Sequence, residues 1–185
     1  RAMRKLKYHE QKLLKKVNFF DWKDTDKNKR ENEILKKFHI QDREDLTKYR
    51  ALSSKLRQLV THLRKMPSGD ADRITMTEVL MEKLYSMGLI KSKTSLEEAL
   101  VVPASRFAGR RLSTVLTDMK FCEDHAQAVL WVKQGHFRLG PDIVSNPALH
   151  VTREMQDQLQ WAAGSKILRK VREFNEEVDD FDLLG

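Results

Sequence analysis

Lys133, His136 and Arg138 gather around Gly135 in the stretch VLWVKQGHFRLGP, residues 129–141. An ammonium and a guanidinium are donors with no acceptor of their own, and the planar guanidinium fork suits bidentate contact with an oxyanion. Residues of these types, so close together, suit an anion such as a phosphate. No Gly-rich phosphate loop, Gly-x-Ser-x-Gly motif or zinc spacing accompanies them. His9-Glu10 lacks a second histidine at metal-binding distance. The single cysteine, Cys122, lies among apolar residues and reads as a small core hydrophobe. The chain is therefore expected to be non-enzymatic, with no cofactor and no metal.

The overall charge points the same way. The formal net charge is +8 over 185 residues, with 34% charged and 40% hydrophobic residues. That excess favours a polyanionic partner, nucleic acid ahead of an acidic membrane surface. One cysteine cannot form a disulfide within the chain and fits a reducing compartment. No apolar run is long enough to span a bilayer, and the first residues lack a secretory apolar core.

The elements that must position these groups follow from periodicity. Residues 1–40 read as a basic N-terminal arm, in which Leu6, Leu13, Leu14, Val17 and Phe20 recur at helical spacing. Arg4, Lys5, Lys7, Lys12, Lys15 and Lys16 lie between them as contacts for a partner surface. Residues 23–33 are polar and predict a linker or an exposed turn of helix. Residues 41–108 read as a helical region. Leu46, Tyr49, Leu52, Leu56, Leu59, Val60 and Leu63 mark one long amphipathic helix with Asp42 as N-cap. A second helix carries Ile74, Val79, Leu80, Leu84 and Met87 and stops at Gly88, and Ser95-Leu96-Glu97-Glu98 has the form of a capping box.

Pro103 and Gly109 bracket a boundary, and residues 109–162 form a second unit. Leu112, Val115, Leu116 and Met119 share a helical face, and Ala126, Val129, Leu130 and Val132 make a second short helix ending at Gly135. Phe137 and Leu139 then face one side of a strand and His136 and Arg138 the other. Ile143 and Val144 begin a second strand, and Val151 sits in a third. Core packing is the expected role of Trp131. Residues 163–185 give a basic helix and an acidic tail, whose Phe174, Phe181, Leu183 and Leu184 suggest a short docking segment.

The elements Arg111-Leu112, Val115-Leu116, Ala126-Gln127-Ala128, Gly135-His136, Phe137-Arg138-Leu139, Gly140-Pro141 and Asn146-Pro147, in that order, resemble the S-four-type RNA-binding domain. The resemblance implies an α+β fold: a mainly helical N-terminal region, then two helices packed on a small sheet, with structured RNA against them. It implies RNA contacts at Arg110, Arg111, Lys120, His125, Lys133, His136 and Arg138. Lys120 stands where that family usually has a glycine, His125 where it has a basic residue, and Val129 where it has an arginine.

The flanks RKLKYHEQKLLKKVNF, EKLYSMGLI, VTREMQDQLQW and DDFDLL resemble a nucleolar branch of the family, the S-four-domain subunits of the U-three small nucleolar ribonucleoprotein. That resemblance implies a nucleolar factor of the small-subunit processome, active in ribosome biogenesis. The implied partners are U-three small nucleolar RNA, precursor ribosomal RNA and an acidic scaffold protein. The residues leave two alternatives open: a scaffold subunit with little direct RNA role, and a ribosomal protein of the same superfamily.

Overall fold

The computed structural model describes residues 4–15, 19 and 25–175, which form an α+β molecule. Lys16, Phe20 and the acidic segment 176–185 lie outside the described residues. The N-terminal helices are α1 (Tyr8–Leu14), α2 (Thr25–Lys37), α3 (Arg43–Lys65), α4 (Ala71–Ser86), α5 (Leu96–Leu100) and α6 (Ala104–Gly109). Their core joins Leu56 and Val60 of α3, Met81 and Leu84 of α4, Leu89, Ile90, Ala99, Val102 and Phe107.

Three expectations for this half need correction. Leu52 and Leu59 of α3 are each 46% exposed, and Ile74 and Val79 of α4 are exposed as well. The α5–α6 segment covers α3 through Ala99, Val102 and Phe107, so α4 buries only the face of Met81 and Leu84. Residues 25–37 are a full helix, longer than the linker or exposed turn of helix expected at 23–33, joined to α3 by Arg50 with Glu31 and by Arg43 with Asn32. Polar ties of this kind leave no apolar periodicity to read. Ser95 caps α5 through the Glu97 N–H at 3.2 Å, while Glu98 turns away and accepts from the Ser92 hydroxyl. The reciprocal half of a capping box is therefore missing.

The second half contains α7 (Leu112–Asp118), α8 (His125–Lys133), β1 (Phe137–Leu139), β2 (Asp142–Ile143), α9 (Arg153–Asp157), β3 (Leu159–Trp161) and α10 (Lys166–Phe174). The strands form an antiparallel sheet in the order β2-β1-β3, with Phe137 opposite Trp161 and Arg138 opposite Ile143. Val151 is not in a strand. It is buried in the core of this half, its N–H donating to the Arg110 carbonyl at 2.9 Å, and the third strand lies at Leu159-Gln160-Trp161. The buried face of α8 is Ala128, Val129 and Val132, whereas Ala126 and Leu130 face outward. Leu112, Val115, Leu116, Cys122, Val132, Phe137, Val151 and Leu159 make the core. Trp131 and Trp161 pack against it, their ring centres 5.9 Å apart, and Trp161 stacks on Phe137 at 4.6 Å.

Four helices end in one motif. The residue after the C-cap has positive φ: His39 (46°), Gly88 (72°), Lys120 (67°) and Gly135 (76°). The next N–H reaches back to a carbonyl of the final turn: Ile40 to Leu35, Leu89 to Leu84, Phe121 to Leu116 and His136 to Trp131, all at 2.9–3.1 Å. This is the Schellman arrangement, which satisfies carbonyls left open at a helix end.

Candidate nucleic-acid interface

The α8–β1 joint is built by Gly135. Its left-handed backbone turns the chain out of α8 within one residue, and a Cβ there would lie 3.3 Å from Ile143. Phe137 then enters the core while Arg138, on the opposite face of β1, bonds Gln160 across the sheet through Nη2 at 2.6 Å. Lys133, on the last turn of α8, is exposed and reaches Gln41 Oε1, at the start of the helical half. His136 is half-buried, its Nδ1 lying 3.0 Å from Ser165 Oγ, which also accepts from the Leu168 N–H and so caps α10. Lys133, His136 and Arg138 thus share one short segment, each with its own polar partner: Gln41, Ser165 and Gln160.

At the other end of α8, Lys120 is exposed on the α7–α8 turn. His125, the first residue of α8, has Nδ1 at 3.0 Å from Thr117 Oγ1 and its ring stacked on Phe38 at 6.3 Å. That seat orients the imidazole within the protein.

Arg110 and Arg111 do not join this surface. Arg111 is 4% exposed, and its Nη1 donates to Asp45 Oδ2 and to the Tyr49 hydroxyl, each at 2.9 Å. Arg110 is half-buried. Its Nε donates to the Val151 carbonyl at 2.8 Å, its Nη1 to Gln156 Oε1 at 2.9 Å, and its guanidinium lies against Gly88, where a Cβ would come within 2.8 Å. Burial, and then the nearby Arg153, push the Arg110 pKa down. Both arginines join the two halves, which corrects the expectation that they face RNA.

Two partners in that joint carry no motif of their own. Arg153 donates from Nε to the Tyr85 carbonyl (2.8 Å) and from Nη2 to the Ile90 carbonyl (2.9 Å), with its guanidinium 4.1 Å above the Tyr85 ring. His150 Nε2 donates to the Met87 carbonyl at 3.1 Å. Burial lowers the His150 pKa. Cationic and N–H donors thus converge on the C-terminal end of α4, where the helix dipole and open carbonyls favour them. The one readable signal is Thr152, which caps α9 by accepting from the Met155 N–H.

In the arm, Lys5, Lys7, Lys12 and Lys15 are exposed and Leu14 is buried. Arg4 pairs with Glu10, which also accepts from the Lys7 N–H at 2.8 Å, and these contacts hold the Glu10 carboxyl down at about 2. Among the described residues there is no cluster of His, Cys, Asp or Glu that could hold a metal.

Comparison with known proteins fixes the family. The sequence matches the ribosomal protein S4/S9 N-terminal domain over residues 5–102. It is 48% identical to the human "U3 small nucleolar ribonucleoprotein protein IMP3" over 181 residues, 98% of each chain. The mouse protein of that name is 47% identical with the same coverage. The Saccharomyces cerevisiae protein is 38% identical, over 97% of this chain and 98% of its own. The chain belongs to the IMP3 family. The S4/S9 match falls on the arm and the helical half, and the helix–helix–sheet unit follows it.

Proposed function

We propose that this protein is a non-catalytic RNA-binding subunit of the U3 small nucleolar ribonucleoprotein, a nucleolar component of the small-subunit processome that works in rRNA processing. It binds U3 small nucleolar RNA and promotes pairing of that RNA with precursor ribosomal RNA. Two strands that must pair repel through their phosphates, and dispersed cations lower that repulsion while holding one strand in shape. In this reading Lys120, His125, Lys133, His136 and Arg138 touch RNA. Arg4, Lys5, Lys7, Lys12 and Lys15 of the arm hold a second RNA or the acidic scaffold protein of the particle. The working division is an arm to residue 40, a helical region to 108, an RNA-binding unit to 162, and a basic helix with its acidic tail.

The observation that carries this reading is the α8–β1 joint, where exposed Lys133 and half-buried Arg138 stand away from the core that Val132 and Phe137 enter. A second reading, a scaffold subunit with little direct RNA contact, draws support from Arg110 and Arg111, which face inward. One titration separates the two. U3 RNA, its precursor ribosomal RNA target and a scrambled RNA are bound across a salt series, with annealing of the first two followed in the same tubes. Tight, salt-sensitive binding with faster annealing is expected. Weak binding, equal for all three, would move the assignment to the scaffold.

A further inference from the structure

The longest helix carries a charge pattern that the hairpin and sheet do not explain. Residues 46–69 contain no Asp or Glu, yet they include Lys48, Arg50, Lys55, Arg57, Arg64 and Lys65. Arg50 is tied to Glu31, and Lys48 lies 3.4 Å from Asp45. Lys55, Arg57, Arg64 and Lys65 are exposed and have no ion-pair partner among the described residues.

Their placement on α3 is ordered. Ser54, Arg57, Gln58, Thr61, Arg64 and Lys65 follow steps of three and four, which puts them on one arc of the helix. All six are exposed, and Leu56, Val60 and Leu63 are buried on the far side. The arc runs for about 16 Å of helix and presents cations, hydroxyls and an amide, with no apolar residue. Leu52 and Leu59 lie on the other flank, beside Lys48 and Lys55.

Completion of the helix end does not account for the pattern. Last-turn cations offset the dipole, but Arg57 stands two turns earlier, and the Met66 carbonyl is taken by Arg73 Nη1 at 2.8 Å. We propose that this outer arc of α3, centred on Arg57, Arg64 and Lys65, is a second binding surface for the RNA sugar-phosphate backbone. The surface is separate from the α8–β1 joint and rests on the RNA-binding reading above. A convex face of donors matches phosphates that project outward, whereas an acidic protein segment would also need a seat for its apolar residues, which the arc lacks.

The test uses the full chain and a stem-loop RNA with single-stranded flanks. Arg57→Gln/Arg64→Gln/Lys65→Gln is compared with wild type and with Lys120→Gln/Lys133→Gln/Arg138→Gln by filter binding over a salt series. Circular dichroism melts check that the folds are equal, which is expected for the three exposed α3 positions. Loss of three phosphate contacts should flatten the log–log salt slope by about 2 and weaken binding about tenfold or more at moderate salt. An unchanged slope and affinity in the α3 variant, with loss in the other, would overturn the proposal and leave the RNA-binding reading intact. Absence of salt-sensitive binding by wild type would remove both. If the α3 variant loses binding to poly-glutamate but keeps RNA, the arc is a protein-docking face and the proposal falls.

Discussion

A buried guanidinium costs several kcal/mol unless it is paired, and Arg111 is paired with Asp45 and Tyr49 across the two halves. Arg111→Ala would leave the Asp45 carboxylate facing an emptied site. It should lower unfolding stability by about 3 kcal/mol, whereas Tyr49→Phe should lower it by about 1 kcal/mol; urea midpoints at constant slope measure both. Lys120 is the opposite case, a side chain held at a φ that suits glycine. Lys120→Gly relieves that strain but adds chain entropy to the unfolded state, for a net gain of about 0.5–1 kcal/mol. His150 supplies the pH dependence. Its folded pKa lies below its ordinary value, through burial and the facing Arg110, so the unfolded state binds its proton more readily. Stability from this group is complete above the ordinary histidine range and declines as pH falls through it. His150→Gln should flatten that part of a melting-temperature profile between neutral and mildly acid pH.

At the level of elements, the recurring helix end determines how one segment passes to the next. Gly135→Ala keeps a left-handed φ at a cost of about 1–2 kcal/mol and presses a methyl toward Ile143; thermal melts should show that loss. Much of this was legible in the sequence. Gly88 and Gly135 announced two stops, the spacing of Leu112, Val115 and Leu116 gave α7, and Phe137-Arg138-Leu139 gave β1. The stops at His39 and Lys120 carried a weaker signal, because residues with side chains enter the left-handed region seldom; at Lys120 the one pointer was the glycine usual in the resembling family. Val151 was misleading for a related reason: a β-branched residue suits a strand, but here it fills the second core from a segment outside the sheet. Of the site, His136 and Arg138 could be placed by strand alternation, and Lys133 by the helix that stops at Gly135. The inward turn of Arg110 and Arg111 could not, because their partners stand more than forty residues away in sequence.

The whole molecule has two apolar cores joined by a polar seam: Arg111 with Asp45, Arg153 with Tyr85 and Ile90, and His150 with Met87. Such a seam couples the halves, so wild type should unfold in one transition whether followed by far-ultraviolet dichroism or by the environment of Trp131 and Trp161. Arg111→Ala/Arg153→Ala should separate those two curves. Coincident curves in the double variant would mean that the halves hold together without the seam.

The end of α4 also has a history in time. Its acceptors sit on Tyr85, Met87 and Ile90, while two of their donors, His150 and Arg153, lie more than sixty residues further along the chain. During synthesis the helical half must therefore wait on the order of several seconds for its closing side chains. Until then the Met87 and Ile90 carbonyls are left to water and Tyr85 keeps only the local Gly88 N–H, so a nascent chain halted before residue 150 would carry α4 closed by its own turn but without the side chains that tie it to the second half.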